Sequence, residues 1–450
     1  MYPNGRSPRR GQMATLDCED FPMNATHLAP RGTLRLLAAL VALPAFLAAC
    51  QGAGQPQTRT LDRLNWSERN HQVLNQLMVD HGPGGVSRDE RKPAYIVLDW
   101  DSTTALFDVE EAVHRFQATE LRFKLTKTGF AGLLPDSVNG VTRLSEAYGS
   151  ILLADIHADL VSDYAFLYDA FAGLGGTQPL ETVAATPQFQ DFFVKLTFLY
   201  AGYADTPGIG AEYAYPWVTT LLAGHTVPEV KALARQAITR ELGNKLARVT
   251  PQSPVSLPGR AGVVTSSFVT GLRVLPEMQD LISACQANGI EVFVVSASFK
   301  PVVEAFGAPG AFGYSVPPEN VIAMELAIRA DGVLLPEYKP GWVKTYRQGK
   351  VEAIHQAIKV GLGRNWDPLL SAGDSDGDYE MLTGFPNTRL SIVWNRVKGG
   401  DIGNLSRQAV DELALSSPRF ILQGRDENAG VTRPSQESIL LGTTEPQLLK

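Results

Sequence analysis

Three short, nearly continuous apolar runs constrain this chain most: residues 94–98 (Ala-Tyr-Ile-Val-Leu), 290–295 (Ile-Glu-Val-Phe-Val-Val) and 368–372 (Pro-Leu-Leu-Ser-Ala). Each has the length of a buried strand. A strand that is apolar at successive positions needs cover on both faces, and a parallel sheet between helices supplies it. A fourth run of this kind lies at 389–393. Helical periodicity separates the runs: apolar positions recur at helical spacing over 63–81, 276–288 and 351–360. Strands that alternate with helices predict an α/β core around a parallel sheet.

Between the first two runs lies a long section, about 107–275, that is mostly helix-patterned. It includes 113–125, 189–203 and 227–246, broken by Gly/Pro loops. A hairpin is expected over 320–336, turning at Asp331-Gly332. No internal repeat is seen. The chain has 450 residues, 44% of them apolar and 19% charged, so a wholly disordered chain is excluded. Its formal charge of −7 argues against a general nucleic-acid binder. The three cysteines, Cys18, Cys50 and Cys285, are too scattered for a disulfide framework or a zinc site. The seven histidines form no metal-ligand pattern.

The N-terminus carries an address. Arg31 and Arg35 precede an apolar core that ends in Leu47-Ala48-Ala49-Cys50. This is the plan of a secretory signal, and its close resembles the lipobox of bacterial lipoproteins, in which the cysteine is lipidated. Residues 1–22 carry Asp17, Glu19 and Asp20, which is unusual for an n-region, so Met23 is the expected start of the signal. Lipid on Cys50 would tie the protein to the membrane of the bacterial cell envelope, with a polar tether after it.

The ends of the apolar runs carry the chemistry. The first is followed by Asp99-Trp-Asp101-Ser-Thr103, the second by Ser296-Ala-Ser298, and the third by Gly373-Asp374-Ser-Asp376-Gly-Asp378. Gly349-Lys350 stands at a predicted helix start. In open α/β sheets ligands gather beyond the carboxyl ends of the strands. Carboxylates brought together there need a cation, and hard oxygen donors select Mg²⁺. With a lysine and a serine, such a site suits a phosphoryl group.

These four stretches, in this order, resemble the motifs of the haloacid dehalogenase superfamily of phosphatases. The resemblance implies a Rossmann-like parallel sheet with a large helical cap inserted between the first and second motifs. It implies that Asp99 is the nucleophile and that Asp101 is the acid and base. Thr103 and Ser296 would hold Asp101 and the phosphate, with Ser298 only shaping the loop. Lys350 would neutralise charge around Asp99 and the phosphoryl oxygens. Asp99, Asp101 (through its carbonyl), Asp374 and Asp378 would bind Mg²⁺. The expected segments are a signal peptide at 1–49, an anchor and tether at 50–62, and the first part of the core at 63–104. The cap follows at 105–275, the second part of the core at 276–430, and a flexible tail at 431–450.

Two subfamilies share features with the chain. Asp-Ser-Thr103 and the Gly-Asp374…Asp378-x-x-Met381-Leu382 pattern resemble phosphoserine phosphatases, in which an acid at the place of Asp108 contacts the amine. The stretch from Asn65-Trp66 to Asn395 is similar to exported bacterial phosphorylcholine phosphatases. That similarity includes Glu110-Glu111, Tyr215-Pro216-Trp217 and Trp394-Asn395. It departs at Phe198-Leu199-Tyr200, where the family has a tyrosine triplet, and at Trp100, where the family has another first motif. By this resemblance Glu110, Glu111, Tyr200, Tyr203, Tyr213, Tyr215 and Trp217 would receive an alkylammonium head. A small phosphate ester is therefore the expected partner: phosphorylcholine or a similar alkylammonium phosphate, with phosphoserine as the alternative. A phosphotransferase and an inactive binding lipoprotein are further readings.

Overall fold

The computed structural model describes residues 57–450; the segment 1–49 expected to be a signal, Met23 and Cys50 lie outside the described residues. At its centre are six parallel strands: β1 (Tyr95–Leu98), β2 (Glu291–Phe299), β3 (Val321–Met324), β4 (Leu370–Gly373), β5 (Leu390–Trp394) and β6 (Phe420–Gln423). They lie side by side in the order β6-β5-β4-β1-β2-β3. In register, Leu98 stands opposite Val294 on one side and Ala372 on the other. The three chemistry-bearing strands are thus neighbours; β1 and β4 end at nearly the same level, and β2 runs on past them to Phe299. This is the expected Rossmann-like α/β core.

Both faces of the sheet are buried, which accounts for the continuous apolar runs. Ile96 and Leu98 join Val292, Val294, Leu370 and Ala372 under Leu74 and Met78 of the helix Glu68–His81 and Leu281 and Ile282 of Pro276–Ala287. On the other face, Tyr95, Val97, Phe293 and Val295 meet Ala353, Ile354 and Met381. Full burial of one such aliphatic side chain is worth about 1.5–3 kcal/mol.

Some boundaries differ from the sequence pattern for local reasons. The first helix begins at Glu68 rather than residue 63, because Ser67 caps it and accepts from Asn70 N. The helix expected at 351–360 is an α-helix, Gln348–Ile354, that widens into a π-turn at His355–Val360. The hairpin pairs Leu326–Ile328 with Leu334–Tyr338, and Gly332 supplies the left-handed turn residue at φ +86°. The edge strand β6 is not among the strands expected from the sequence.

The inserted section has its own hydrophobic cluster, built from the helices Leu153–Ala170, Pro187–Asp205 and Ala211–Thr220. Its flanking helices do otherwise. Val109, Ala112, Val113 and Phe116 of Val109–Thr119 belong to the sheet's cluster, as do Val230, Leu233 and Ala237 of Val227–Gly243. The cap expected over 105–275 is therefore narrower as a packing unit, close to 118–223 with Val264. Within it Lys195, fully buried, pairs with Asp159 and Asp191 at 2.8 Å each. Asp159 also accepts the backbone N–H groups of Arg260 and Ala261, which holds the returning chain. Among the described residues no helix is long and apolar enough to cross a membrane.

The expectation of a flexible tail at 431–450 is corrected. The segment folds back on the sheet end because Asn395, fully buried after β5, collects its carbonyls. Asn395 Nδ2 donates to Gln436 O, Gln447 O and Leu448 O at 2.8, 3.3 and 2.7 Å. Leu448 packs against the cluster that includes Val393 and Leu405. Asn395→Ala leaves buried carbonyls without a donor, at a cost of about 1–3 kcal/mol. Denaturant unfolding should show that loss, and limited proteolysis should trim the variant's tail while the parent resists. An equally protected tail would contradict this account.

Candidate active site

The chain leaving β1 is folded into a tight crook. Asp99 N continues the sheet by donating to Ala372 O at 3.0 Å. The carbonyl of Trp100 then accepts from the N–H groups of Thr103, Thr104 and Ala105. Ser102 takes φ +59°, and its carbonyl accepts from buried Arg425 Nη1 at 2.6 Å. The Trp100 ring turns away from the site and packs on Phe306 and Tyr314 at 5.4 and 5.0 Å between centroids. The crook leaves Asp99 and Asp101 at the mouth of the sheet.

Beyond β4, Asp378 folds back onto its own strand end. Its Oδ2 accepts from the N–H groups of Asp374 and Ser375 at 3.1 Å each. Gly373 is required here: a Cβ at that position would sit 2.5 Å from the Asp378 Cβ. Lys350, buried, reaches in from the helix Gln348–Ile354 and donates to Asp99 Oδ1 and Asp378 Oδ1, both at 2.6 Å. Arg396, just after β5, donates to Asp374 Oδ2 at 2.7 Å.

These groups line one cavity of about 300 Å³. It gathers Asp99, Asp101, Lys350, Asp374 and Asp378, together with Asp108, Glu110, Glu111, Tyr200 and Tyr215. Burial, with Asp378 nearby, pushes the Asp99 carboxyl up to about 8 against the pull of Lys350. Burial and Asp99 push Asp101 up to about 7. For Asp374 burial acts upward, but Arg396, Lys398 and Arg425 outweigh it and hold the carboxyl below its ordinary value.

One oxygen each of Asp99, Asp374 and Asp378 lies within 4.8 Å of the others. Three buried carboxylates this close, with all-oxygen donors, fit a hard divalent cation such as Mg²⁺.

Several sequence expectations are corrected. Ser298, expected only to shape the loop, is the nearer hydroxyl to Asp101: its Oγ donates to Oδ2 at 2.6 Å, against 3.4 Å for Ser296. Ser298 lines the cavity, whereas Ser296 lies behind it, accepting from Ser298 N. Thr103 does not hold Asp101, because its hydroxyl is turned to Asp374 Oδ1 at 3.3 Å. Trp217 and Tyr213 do not face the cavity. Both pack on Tyr203 within the cap's own cluster, at 5.0 and 5.2 Å, and Trp217 Nε1 donates to Leu133 O. Tyr203 is likewise occupied, with its hydroxyl on His157 Nε2.

The sequence motifs leave out Tyr346, Arg396 and Lys398, which also line the cavity. Arg396 and Lys398 follow the apolar run at 389–393, so the strand-end rule applied to a fourth strand would have found them. Tyr346 stands two residues before the helix Gln348–Ile354, on a stretch without a pattern of its own.

A family model described as haloacid dehalogenase-like hydrolase matches residues 256–383, a span that contains Ser296, Lys350, Asp374 and Asp378. Over that span the chain is similar to haloacid dehalogenase-like hydrolases. To this span the fold adds β1 and Asp99, between β4 and β2. A conserved protein of unknown function from Anaerococcus prevotii DSM 20548 has a similar structure, with TM-score 0.77 and 29% identity over 84% of this chain and 98% of that one. The phosphorylcholine phosphatase of Pseudomonas aeruginosa is 28% identical over 216 residues, 40% of this chain. The match spans about half of that relative, 55% of its length. A substrate-bound phosphoserine phosphatase is far more distant, at 14% identity and TM-score 0.31 over 68% of this chain and 87% of that one, and bears no weight.

A Mg²⁺ titration followed by calorimetry tests the carboxylate cluster directly. Removing one ligand charge with Asp374→Asn should weaken Mg²⁺ binding at least about 10- to 100-fold, the range seen even for groups behind the ligands. Unchanged Mg²⁺ affinity would place the cation elsewhere.

Proposed function

We propose that this chain is a phosphomonoester hydrolase that works through an aspartyl-phosphate on Asp99 and takes small alkylammonium esters, phosphorylcholine among them. The observation that carries the reading is the composition of the cavity. The carboxylates of Asp108, Glu110 and Glu111 and the rings of Tyr200, Tyr215 and Tyr346 line it together with Asp99 and Lys350.

In this reading an Asp99 oxygen attacks phosphorus, the ester P–O bond breaks, and the Asp101 carboxyl gives its proton to the departing alkoxide. Asp101 then takes a proton from the water that attacks the phosphoryl group, which frees Asp99 and releases phosphate. Val109 N donates to Asp101 Oδ1 at 2.6 Å, and with Ser298 on the other oxygen the carboxyl is held in orientation. Lys350 fixes the attacking carboxylate against Asp378. Mg²⁺ held by Asp99, Asp374 and Asp378 would supply positive charge to the phosphoryl oxygens. Asp99→Asn removes the nucleophile and should abolish turnover with the fold intact by circular dichroism. More than a few per cent of parental turnover would sink the assignment.

The head-group reading rests on the same physics that holds quaternary ammonium ions elsewhere. A trimethylammonium group has no N–H donor, so aromatic faces and nearby carboxylates must hold it. Tyr215 stands edge-on to Tyr346 at 5.4 Å and is tilted beside Tyr200 at 6.4 Å. Burial raises both Tyr200 and Tyr215 well above the ordinary phenol value, so they remain neutral. The phosphorylcholine phosphatase likeness adds support.

Each aromatic contact with a desolvated cation is worth roughly 1–2 kcal/mol, so Tyr215→Leu should raise KM for phosphorylcholine about 5- to 30-fold. The same variant, and Glu111→Gln, should change an uncharged aryl phosphate little. Equal losses on both esters would remove the head-group reading. Loss confined to phosphoserine in Asp108→Asn, a substitution that keeps the helix cap, would favour the amino-acid ester. Anchoring in the cell envelope belongs to the same proposal: mass spectrometry of membrane-fraction protein should find lipid on Cys50, and an unmodified N-terminus elsewhere would refute it.

A further inference from the structure

Among the described residues, three cations line the cavity, Lys350, Arg396 and Lys398, against seven carboxylates. They are not equally free. Lys350 is bound by Asp99 and Asp378. Arg396 is bound by Asp374. Among the described residues, Lys398 has no carboxylate within ion-pair distance, and its ammonium makes no hydrogen bond. Lys398 is solvent-exposed, and its unpaired ammonium at the cavity wall is open to an anionic group that enters.

The loop that carries Lys398 is braced at both ends. Asn395 anchors the start: its Oδ1 accepts from Val397 N at 2.9 Å while its Nδ2 is fixed on the folded-back tail. Val397 takes φ +51°, a left-handed conformation that a β-branched residue rarely adopts. Such strain persists only where the surroundings impose it, and it gathers where side chains are presented to ligands. The far end is pinned as well. Gly400 takes φ +74°, where a Cβ would meet the Asp376 carboxylate at 2.4 Å, and Asp376 accepts from Ile402 N. The consequence of this bracing is that Arg396 and Lys398 both line the cavity from one turn, the first committed to Asp374 and the second uncommitted.

We propose that Lys398 is a phosphoryl-binding residue: its ammonium pairs with the dianionic phosphoryl group of the ester and with the inorganic phosphate released. The proposal rests on the phosphomonoester hydrolase reading and names a group that none of the four sequence motifs contains. A phosphoryl dianion that enters a cavity rich in carboxylates needs positive charge that is not already neutralised. Lysine is suited to that task as a compact point charge with three donors.

The test uses the full chain with Mg²⁺, in the parent, Lys398→Gln and Lys398→Arg. Inorganic phosphate is titrated by calorimetry, and kinetics are measured on phosphorylcholine, phosphoserine and an aryl phosphate. A charge-assisted hydrogen bond predicts that Lys398→Gln raises the phosphate Kd and all three KM values by about 10- to 100-fold. Lys398→Arg should recover most of that loss, and Mg²⁺ affinity in the absence of phosphate should stay within about twofold of the parent. Phosphate Kd and KM values within about twofold of the parent would overturn the proposal. So would a rise confined to phosphoserine, which would place Lys398 on a head-group carboxylate, or a matching loss of Mg²⁺ affinity, which would place it on the metal cluster. If the parent turns over none of the three esters, the hydrolase reading fails by itself; the phosphate titration still judges Lys398.

Discussion

Lys350 is the group on which the site depends. Its ammonium bridges Asp99 and Asp378 at 2.6 Å each, in a place where all three side chains are almost without solvent. Carboxylates crowded into a low-dielectric pocket repel one another and favour protonation. Asp99 shows this pressure, held well above its ordinary value by burial and by Asp378 despite the lysine. The buried ammonium feels the reverse: burial opposes its charge, but Asp378 and Asp99 keep it raised. Removing the lysine would leave the buried Asp99 and Asp378 carboxylates uncompensated, which is strongly destabilising. The geometry around it follows from this requirement, including Gly373 without a side chain and Asp378 turned back onto backbone N–H groups.

The sheet supplies that geometry cheaply. Because β4, β1 and β2 are adjacent and in register, residues as distant in the chain as Asp99 and Asp374 become neighbours at one edge. The fourth strand end brings Arg396 onto Asp374, and the tail, clamped by Asn395, braces that loop from behind. A tail that packs in this way extends the support of the site to the end of the chain. The cap contributes through only part of its length. Tyr200 and Tyr215 line the cavity, while their neighbours Tyr203, Tyr213 and Trp217 hold the cap together.

Much of this is legible in the sequence, for reasons that can be named. A strand buried on both faces has an uninterrupted apolar run, so β1, β2 and β4 can be read directly, and residues at strand ends inherit their place from the sheet. The apolar runs alone therefore bring Asp99, Asp101, Asp374 and Asp378 together. Side-chain direction is what the pattern does not carry. Nothing local distinguishes a tyrosine that lines a cavity from one that packs a helix, and only family likeness points Trp217 and Tyr213 at the pocket. Ser296 and Ser298 lie two apart on one strand and share a face, so spacing cannot say which reaches Asp101. The tail reads as polar and irregular, and its order comes from one distant asparagine, a tertiary contact with no signature in the segment itself.

The central claim is that this cavity serves a carboxylate which becomes covalently phosphorylated, and acid-quench trapping tests it most directly. The full chain is mixed with phosphorylcholine and Mg²⁺, stopped in acid within one turnover, digested, and examined by peptide mass spectrometry. The account predicts a phosphoryl group on Asp99, formed and lost at rates compatible with turnover. Active protein whose Asp99 peptide stays unmodified at every quench time would contradict it.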